Sequence, residues 1–215
     1  MKIATSRLRL LGWGCVVVGL TATGVFAQNG GGRTGSPATI LWSWAARFKT
    51  PIAMESAVCS QDGAGKPART TDLVSLKGSA DGRLNAFVKA FPEFRWERDG
   101  EIFVVRCRGM KDPATEKILN TNIPLVRIEK RRDPQSVGMD LFDHPETQSV
   151  LQELGLTDVQ AFTSVEGRTA VGSAVEFRNA TIRGVLNGLL TRSVAKFWTI
   201  WRFGNSMEFV RIVAD

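Results

Sequence analysis

One pattern of residues occurs twice in this chain. Val74-Ser75-Leu76-Lys77-Gly78 precedes Leu84-Asn85-Ala86-Phe87, then Phe94-Arg95-Trp96 and Ile102-Phe103-Val104-Val105. Val175-Glu176-Phe177-Arg178-Asn179 precedes Leu186-Asn187-Gly188-Leu189, then Phe197-Trp198-Thr199-Ile200 and Phe209-Val210-Arg211-Ile212. Each block reads as a strand, a short helix and a strand–turn–strand. Leu84-Asn85 and Leu186-Asn187 lie 102 positions apart, a period of one small domain and not of a solenoid. The expectation is an α+β fold of two small tandem modules. Each would pack two helices on short mixed or antiparallel sheets, in a βαββαββ-like order.

The first 27 residues read as an export signal. Lys2, Arg7 and Arg9 make a positive start, and 10–20 is an apolar run softened by Gly12, Gly14 and Gly19. Val25-Phe26-Ala27 sets small residues at the −3 and −1 positions of a cleavage site before Gln28. An uncleaved anchor is the rival reading, but a span needs about 20 strongly apolar residues. Thr21, Thr23 and Gly24 dilute the second half of the run. Cleavage leaves 28–215, enough for one ordinary domain or two small ones. No later run is long enough to cross a membrane. Loss of Lys2, Arg7 and Arg9 lowers the formal charge from +7 to +4. That balance is poor grounds for nucleic acid, and no basic stripe with interleaved aromatics is present.

Cys59 and Cys107 are the cysteines left after cleavage. In an exported chain two cysteines point to one disulfide; two separate buried thiols are the alternative. Each closely follows an expected strand of the same block, and adjacent strand ends can supply the short separation a bridge needs.

Along the chain, 28–37 is a flexible lead rich in glycine. Residues 38–49 make a helix with Ile40, Leu41, Trp44, Ala45 and Phe48 on one face, Ser36 as its cap and Pro37 in its first turn. Strands are expected at 51–58 and 73–77, a helix at 80–91 and a hairpin around Asp99-Gly100. This completes a first module at 38–108. Residues 109–122 read as a linker. In the second module, 123–215, strands are expected at 124–130, 159–165 and 174–178. A loop covers 133–139, helices cover 143–154 and 182–191, and a hairpin turns at Gly204-Asn205.

The order of elements and three phrases resemble the secretin and TonB N-terminal short domain, the STN module. The phrases are Phe48-Lys49-Thr50-Pro51-Ile52-Ala53-Met54, Val74-Ser75-Leu76-Lys77-Gly78 and Phe94-Arg95-Trp96. Residues 175–213 echo the second half of the module, with Asn179-Ala180-Thr181-Ile182 leading into its helix. The chain departs from the family in lacking an obvious strand before Ile40. No secretin channel or receptor barrel follows the modules, so the expectation is a free-standing exported pair. The resemblance implies a protein–protein docking surface in the bacterial envelope, without catalysis, cofactor or metal.

Catalytic constellations are thin. His144 is the single histidine, which removes every two-histidine metal site. Asp140 and Asp143 lie near it, but the simpler role for Asp143 or His144 is to cap the helix that Pro145 starts. No Cys-x-x-Cys, calcium-loop or phosphate-loop pattern is present. Tyrosine is absent, and five tryptophans remain after the signal: Trp42, Trp44, Trp96, Trp198 and Trp201. Trp42 and Trp44 cannot both face inward from one helix. Trp96 and Trp201, with Phe94 and Phe197, sit on the hairpins and are the candidate partner-binding residues; core packing is the competing role for each. Two function classes follow. One is a periplasmic or secreted adaptor or regulator that docks an envelope protein by a sheet edge or helix face. The other is a binder of an envelope polymer or small ligand in a cleft between the modules.

Overall fold

A computed structural model describes residues 36–56, 59, 70–109, 112–129, 134–156, 158–161, 174–192, 195–203, 206–209 and 213–214. The expected signal, and the lead up to residue 35, lie outside these residues.

Helix α1 (Pro37–Phe48) begins as its sequence requires. Ser36 Oγ accepts the Thr39 N–H at 3.3 Å, and Pro37 occupies the first turn. Lys49 ends it in the left-handed conformation, φ 52°. Ile40, Leu41, Trp44 and Ala45 are buried, and the Trp44 indole N–H donates to the Leu73 carbonyl at 3.0 Å. Strand β1 (Ile52–Met54) follows, shorter than expected. The expected strand at 73–77 is absent. Thr70–Val74 forms a short helix, α2, and the chain turns at Ser75. Val74 and Leu76 have a strand's alternation, but no ladder partner is paired with them. Helix α3 (Ala80–Ala90) leads into the hairpin of β2 (Phe94–Asp99) and β3 (Ile102–Cys107). Gly100 takes φ 59° at the first position of its two-residue loop, where a II′ turn demands glycine.

The expected linker carries a helix. Asp112 accepts from the Ala114 and Thr115 N–H groups and caps α4 (Pro113–Leu119), whose Ile118 and Leu119 are buried. The expected loop at 133–139 is also helical: α5 (Pro134–Asp143) is followed by α6 (Pro145–Glu153). Asp112-Pro113 starts α4 as Ser36-Pro37 starts α1, and α5 likewise opens on a proline, Pro134. Strand β4 (Asn122–Ile128) pairs antiparallel with β6 (Val175–Thr181) in a small separate sheet. The remaining elements are β5 (Asp158–Ala161), α7 (Ile182–Arg192), β7 (Ala195–Phe203), β8 (Ser206–Phe209) and β9 (Val213–Ala214).

The main sheet runs β2-β3-β1-β7-β8-β5, with β9 beside β7. It contains the same three-strand unit twice. In the first, hairpin β2–β3 is antiparallel and β3 lies parallel to β1. In the second, hairpin β7–β8 is antiparallel and β8 lies parallel to β5. The units join where β1 pairs in parallel with β7, Ile52 opposite Phe197. The helix preceding each hairpin is capped alike: Ser79 Oγ accepts the Gly82 N–H at 3.1 Å, and Thr181 Oγ1 accepts the Gly184 N–H at 3.0 Å.

Strand alternation divides the shared sheet between two cores. Ile52, Met54, Phe103, Val105 and Phe197 pack with α1 and α3 residues such as Trp44 and Phe87. Ala53, Ile102, Val104, Trp198 and Ile200 pack with α4 and α7 residues such as Ile118 and Leu186. The fold class is α+β as expected, but the cores lie on opposite faces of one sheet. Residues Gly32–Asp215 form one compact unit. In the second core α7 meets β6 closely: a Cβ on Gly188 would stand 2.3 Å from the Phe177 ring.

Candidate docking edge and buried ion cluster

Strand β2 is the terminal strand of the sheet among the described residues. Its residues divide by alternation. Phe94 and Trp96 face α3; Arg95 and Glu97 face the other way. Phe94 is 1% exposed and belongs to the first core, in ring contact with Phe87 and Phe91. Phe197 is also 1% exposed. Neither can therefore meet a partner, which corrects the expectation for both. A phenylalanine on a hairpin strand has no polar handle to keep it at the surface, and in both places a helix covers it.

Trp96 is half-buried. Its indole N–H donates to Asn85 Oδ1 at 3.1 Å, and its ring lies 5.7 Å from that of Phe103. The Arg98 guanidinium stands 5.1 Å over the same Phe103 ring. Trp96 thus keeps one face for packing and one side toward solvent at the edge strand. The side chain of Trp201 lies outside the described residues.

Cys59 and Cys107 are joined, with sulfurs 2.03 Å apart and Cα atoms 5.3 Å apart. The bridge ties the segment after β1 to the end of β3. It closes a loop of sequence separation 48 within the first half.

An ion cluster stands at the end of β1. Glu55 is 4% exposed and lies between two arginines. Arg106 on β3 donates from Nε at 2.5 Å and from a terminal nitrogen at 3.0 Å. Arg183 on α7 donates from Nε at 2.7 Å and from a terminal nitrogen at 3.3 Å. Arg183 also reaches Glu116 at 2.9 Å and the Asn120 side chain, while Arg106 reaches Glu97. Burial pushes the Glu55 carboxyl up, but hydrogen bonds and charge from Arg106 and Arg183 outweigh it, so its pKa is lowered. The Glu55 bond raises the Arg106 pKa against burial. For Arg183, desolvation is the largest influence and lowers the pKa, yet the bonds to Glu55 and Glu116 leave it raised. The usable sequence signal was alternation: Ala53 and Glu55 share an inward face, and an acid there must find a cation.

Arg83 is a second buried cation, 5% exposed. It stacks 3.8 Å over the Phe48 ring, donates to Thr50 Oγ1 at 3.3 Å and to the Gly78 carbonyl, and its pKa is lowered by burial. These contacts pin α1 to the start of α3.

His144 occupies the N-cap position of α6 but makes no side-chain cap; its Nδ1 pairs with Glu146. Among the described residues no group of three His, Cys, Asp or Glu is placed to hold a metal. An open groove of about 710 Å³ runs between α4 and α6, lined by residues including Lys117, Asn122, Pro145 and Ser149. It lies wholly within 117–150, so it is not a cleft between 38–108 and 123–215. No helix among the described residues is long and apolar enough to cross a membrane. No family model, curated protein or solved structure matches this chain.

Proposed function

We propose that this is an exported, non-catalytic docking protein of the bacterial cell envelope, acting as an adaptor or regulator through the β2 edge. The carrying observation is that edge. β2 ends the described sheet, presents Arg95, Glu97 and Arg98 to solvent, and holds Trp96 by Asn85 and Phe103. A partner strand could complete its backbone hydrogen bonds while an anchored aromatic supplies contact area. The Cys59–Cys107 bridge favours an oxidising compartment. The positive start, apolar run and Val25-Phe26-Ala27 site supply the route, and the STN-like phrases supply the envelope setting. The ligand-binding alternative has less support, because the halves meet through β1–β7 pairing and the groove lies in one half.

Two measurements test the reading. Mass spectrometry of the mature protein should find Gln28 at its N-terminus; a retained leader in the membrane fraction counts against export. A photo-cross-linking residue at Arg98 should capture a defined envelope protein that the same residue at Gln152 does not. Equal yields from both positions would remove the edge from the reading.

A further inference from the structure

The β2 edge is complementary to itself. The Arg108 N–H donates to the Glu93 carbonyl at 2.6 Å, continuing the β2–β3 ladder and fixing its phase. Arg95 and Glu97 therefore direct their backbone groups to β3, and Trp96 and Arg98 direct theirs outward. Arg95 and Glu97 are half-exposed, at 54% and 45%.

We propose that the partner of this edge is a second copy of the chain, paired antiparallel through β2 about a two-fold axis at Trp96. This rests on the reading of β2 as a docking edge. Charge selects the register. With the axis at Trp96, Arg95 of each copy stands opposite Glu97 of the other, twice, in the closely spaced class of pair. An axis at Arg95 or Arg98 sets that arginine against itself. One at Glu97 sets two carboxylates together, and like charges directly opposite destabilise a pair. Besides Trp96, an axis at Phe94 avoids such a clash, but the Phe94 N–H is already given to the Phe91 carbonyl. At the ends of the Trp96 register Glu93 stands opposite Asp99.

The same register extends contacts already present. Arg106 donates to both Glu55 and Glu97, so Arg95 of the second copy would join the end of an existing charge ladder. On the other face the two Trp96 rings meet, each already fixed by Asn85 and Phe103, so little side-chain freedom is lost on pairing. The contact is isologous and closes after two copies. One short strand pair is a small interface, so the dimer is weak and reversible.

Sedimentation of the oxidised protein over a wide concentration range, at low and high salt, tests this. The wild type should pass from monomer to dimer, more weakly at high salt. Arg95→Glu should weaken dimerisation more than tenfold while leaving the melting curve unchanged. Glu97→Arg should weaken dimerisation similarly while lowering the melting temperature, because Arg106 loses its Glu97 partner. Mixing the two variants should restore a dimer, because their edges are then complementary. A wild type that stays monomeric overturns the proposal, as does a dimer indifferent to Arg95→Glu or a mixture that does not re-form. Open-ended polymers in place of a closed dimer also overturn it, since they require two different edges. If self-association fails while the Arg98 cross-link to another envelope protein persists, this inference falls and the docking reading stands.

Discussion

The Trp198 indole N–H donates to Asn187 Oδ1 at 3.1 Å, and 102 residues earlier Trp96 donates to Asn85 Oδ1 at the same distance. In each half the asparagine lies on the helix and the tryptophan on the strand that follows. The bond therefore ties a helix to the strand that follows it twice, but in different surroundings. Trp198 is fully buried and Asn187 is 8% exposed, whereas the Asn85–Trp96 pair is at the surface. Asn187→Leu would strand a buried donor and should cost ~1–3 kcal/mol. Asn85→Leu leaves an indole that water can reach, and should cost ~0.5–1 kcal/mol. Urea unfolding of the two variants checks the order; equal losses would mean that burial does not separate the copies.

Much of the fold was legible because local chemistry and tertiary position agreed. Ser36-Pro37 started a helix, Asp99-Gly100 turned a hairpin, and Leu84 and Leu186 were buried where periodicity placed them. The Leu-Asn pair recurs on the helix that precedes each hairpin of the sheet. The failures came where alternation was short. Leu73 to Leu76 spans too few residues to separate a strand from a turn of helix, and tertiary contact decided it when Trp44 captured the Leu73 carbonyl. Helix α4 within the expected linker was hidden for another reason: Ile118 and Leu119 lie on a seven-residue helix too short to show a periodic face. At the edge, Trp96 lies half-buried on the hairpin strand where the sequence pattern placed it. Phe94 beside it was misassigned because a hairpin strand has an inner and an outer face. Alternation marks Glu55 as an inward acid, but its partner Arg183 lies 128 residues away, and only the assembled sheet brings the two together.

Glu55 should make the protein sensitive to acid. Its folded pKa is lowered from 4.5, so the unfolded chain binds a proton more readily than the native one. The stability it contributes is fully present above its unfolded value. It is lost as pH falls from there through the lower folded value. Glu55→Gln should flatten that part of the stability–pH profile. Glu55→Ala leaves Arg106 and Arg183 without their shared acid and should cost ~3–5 kcal/mol near neutrality. Chemical unfolding at a series of pH values measures both; an unchanged acid limb in Glu55→Gln would show that other carboxylates govern it.

The bridge between Cys59 and Cys107 closes a loop of sequence separation 48, and chain entropy alone gives about 4 kcal/mol for a loop of that size. The double variant Cys59→Ser with Cys107→Ser should lose a substantial part of this. Thiol titration of the unfolded, unreduced wild type should find neither Cys59 nor Cys107 reactive. Two reactive thiols at those positions would refute the bridge in the native protein.

The shared sheet makes a prediction about cooperativity that two separate modules would not. Ala53 and Ile52 are neighbours on β1, yet Ala53 belongs to the core with Leu186 and Ile52 to the core with Leu84. Phe197 and Trp198 divide in the same way on β7. A defect in either core must therefore displace strands on which the other core is built. Leu84 is 1% exposed and Leu186 is 0% exposed, so an aspartate at either position buries an unpaired charge worth at least ~3 kcal/mol. Leu84→Asp and Leu186→Asp should each shift one common unfolding transition, followed identically by tryptophan fluorescence and far-ultraviolet circular dichroism. Independent halves would give another pattern: two resolved transitions, with Leu84→Asp moving one and leaving the other in place. That pattern would mean the β1–β7 pairing is a contact between finished modules, and the division near 109–122 would be a boundary of folding despite α4.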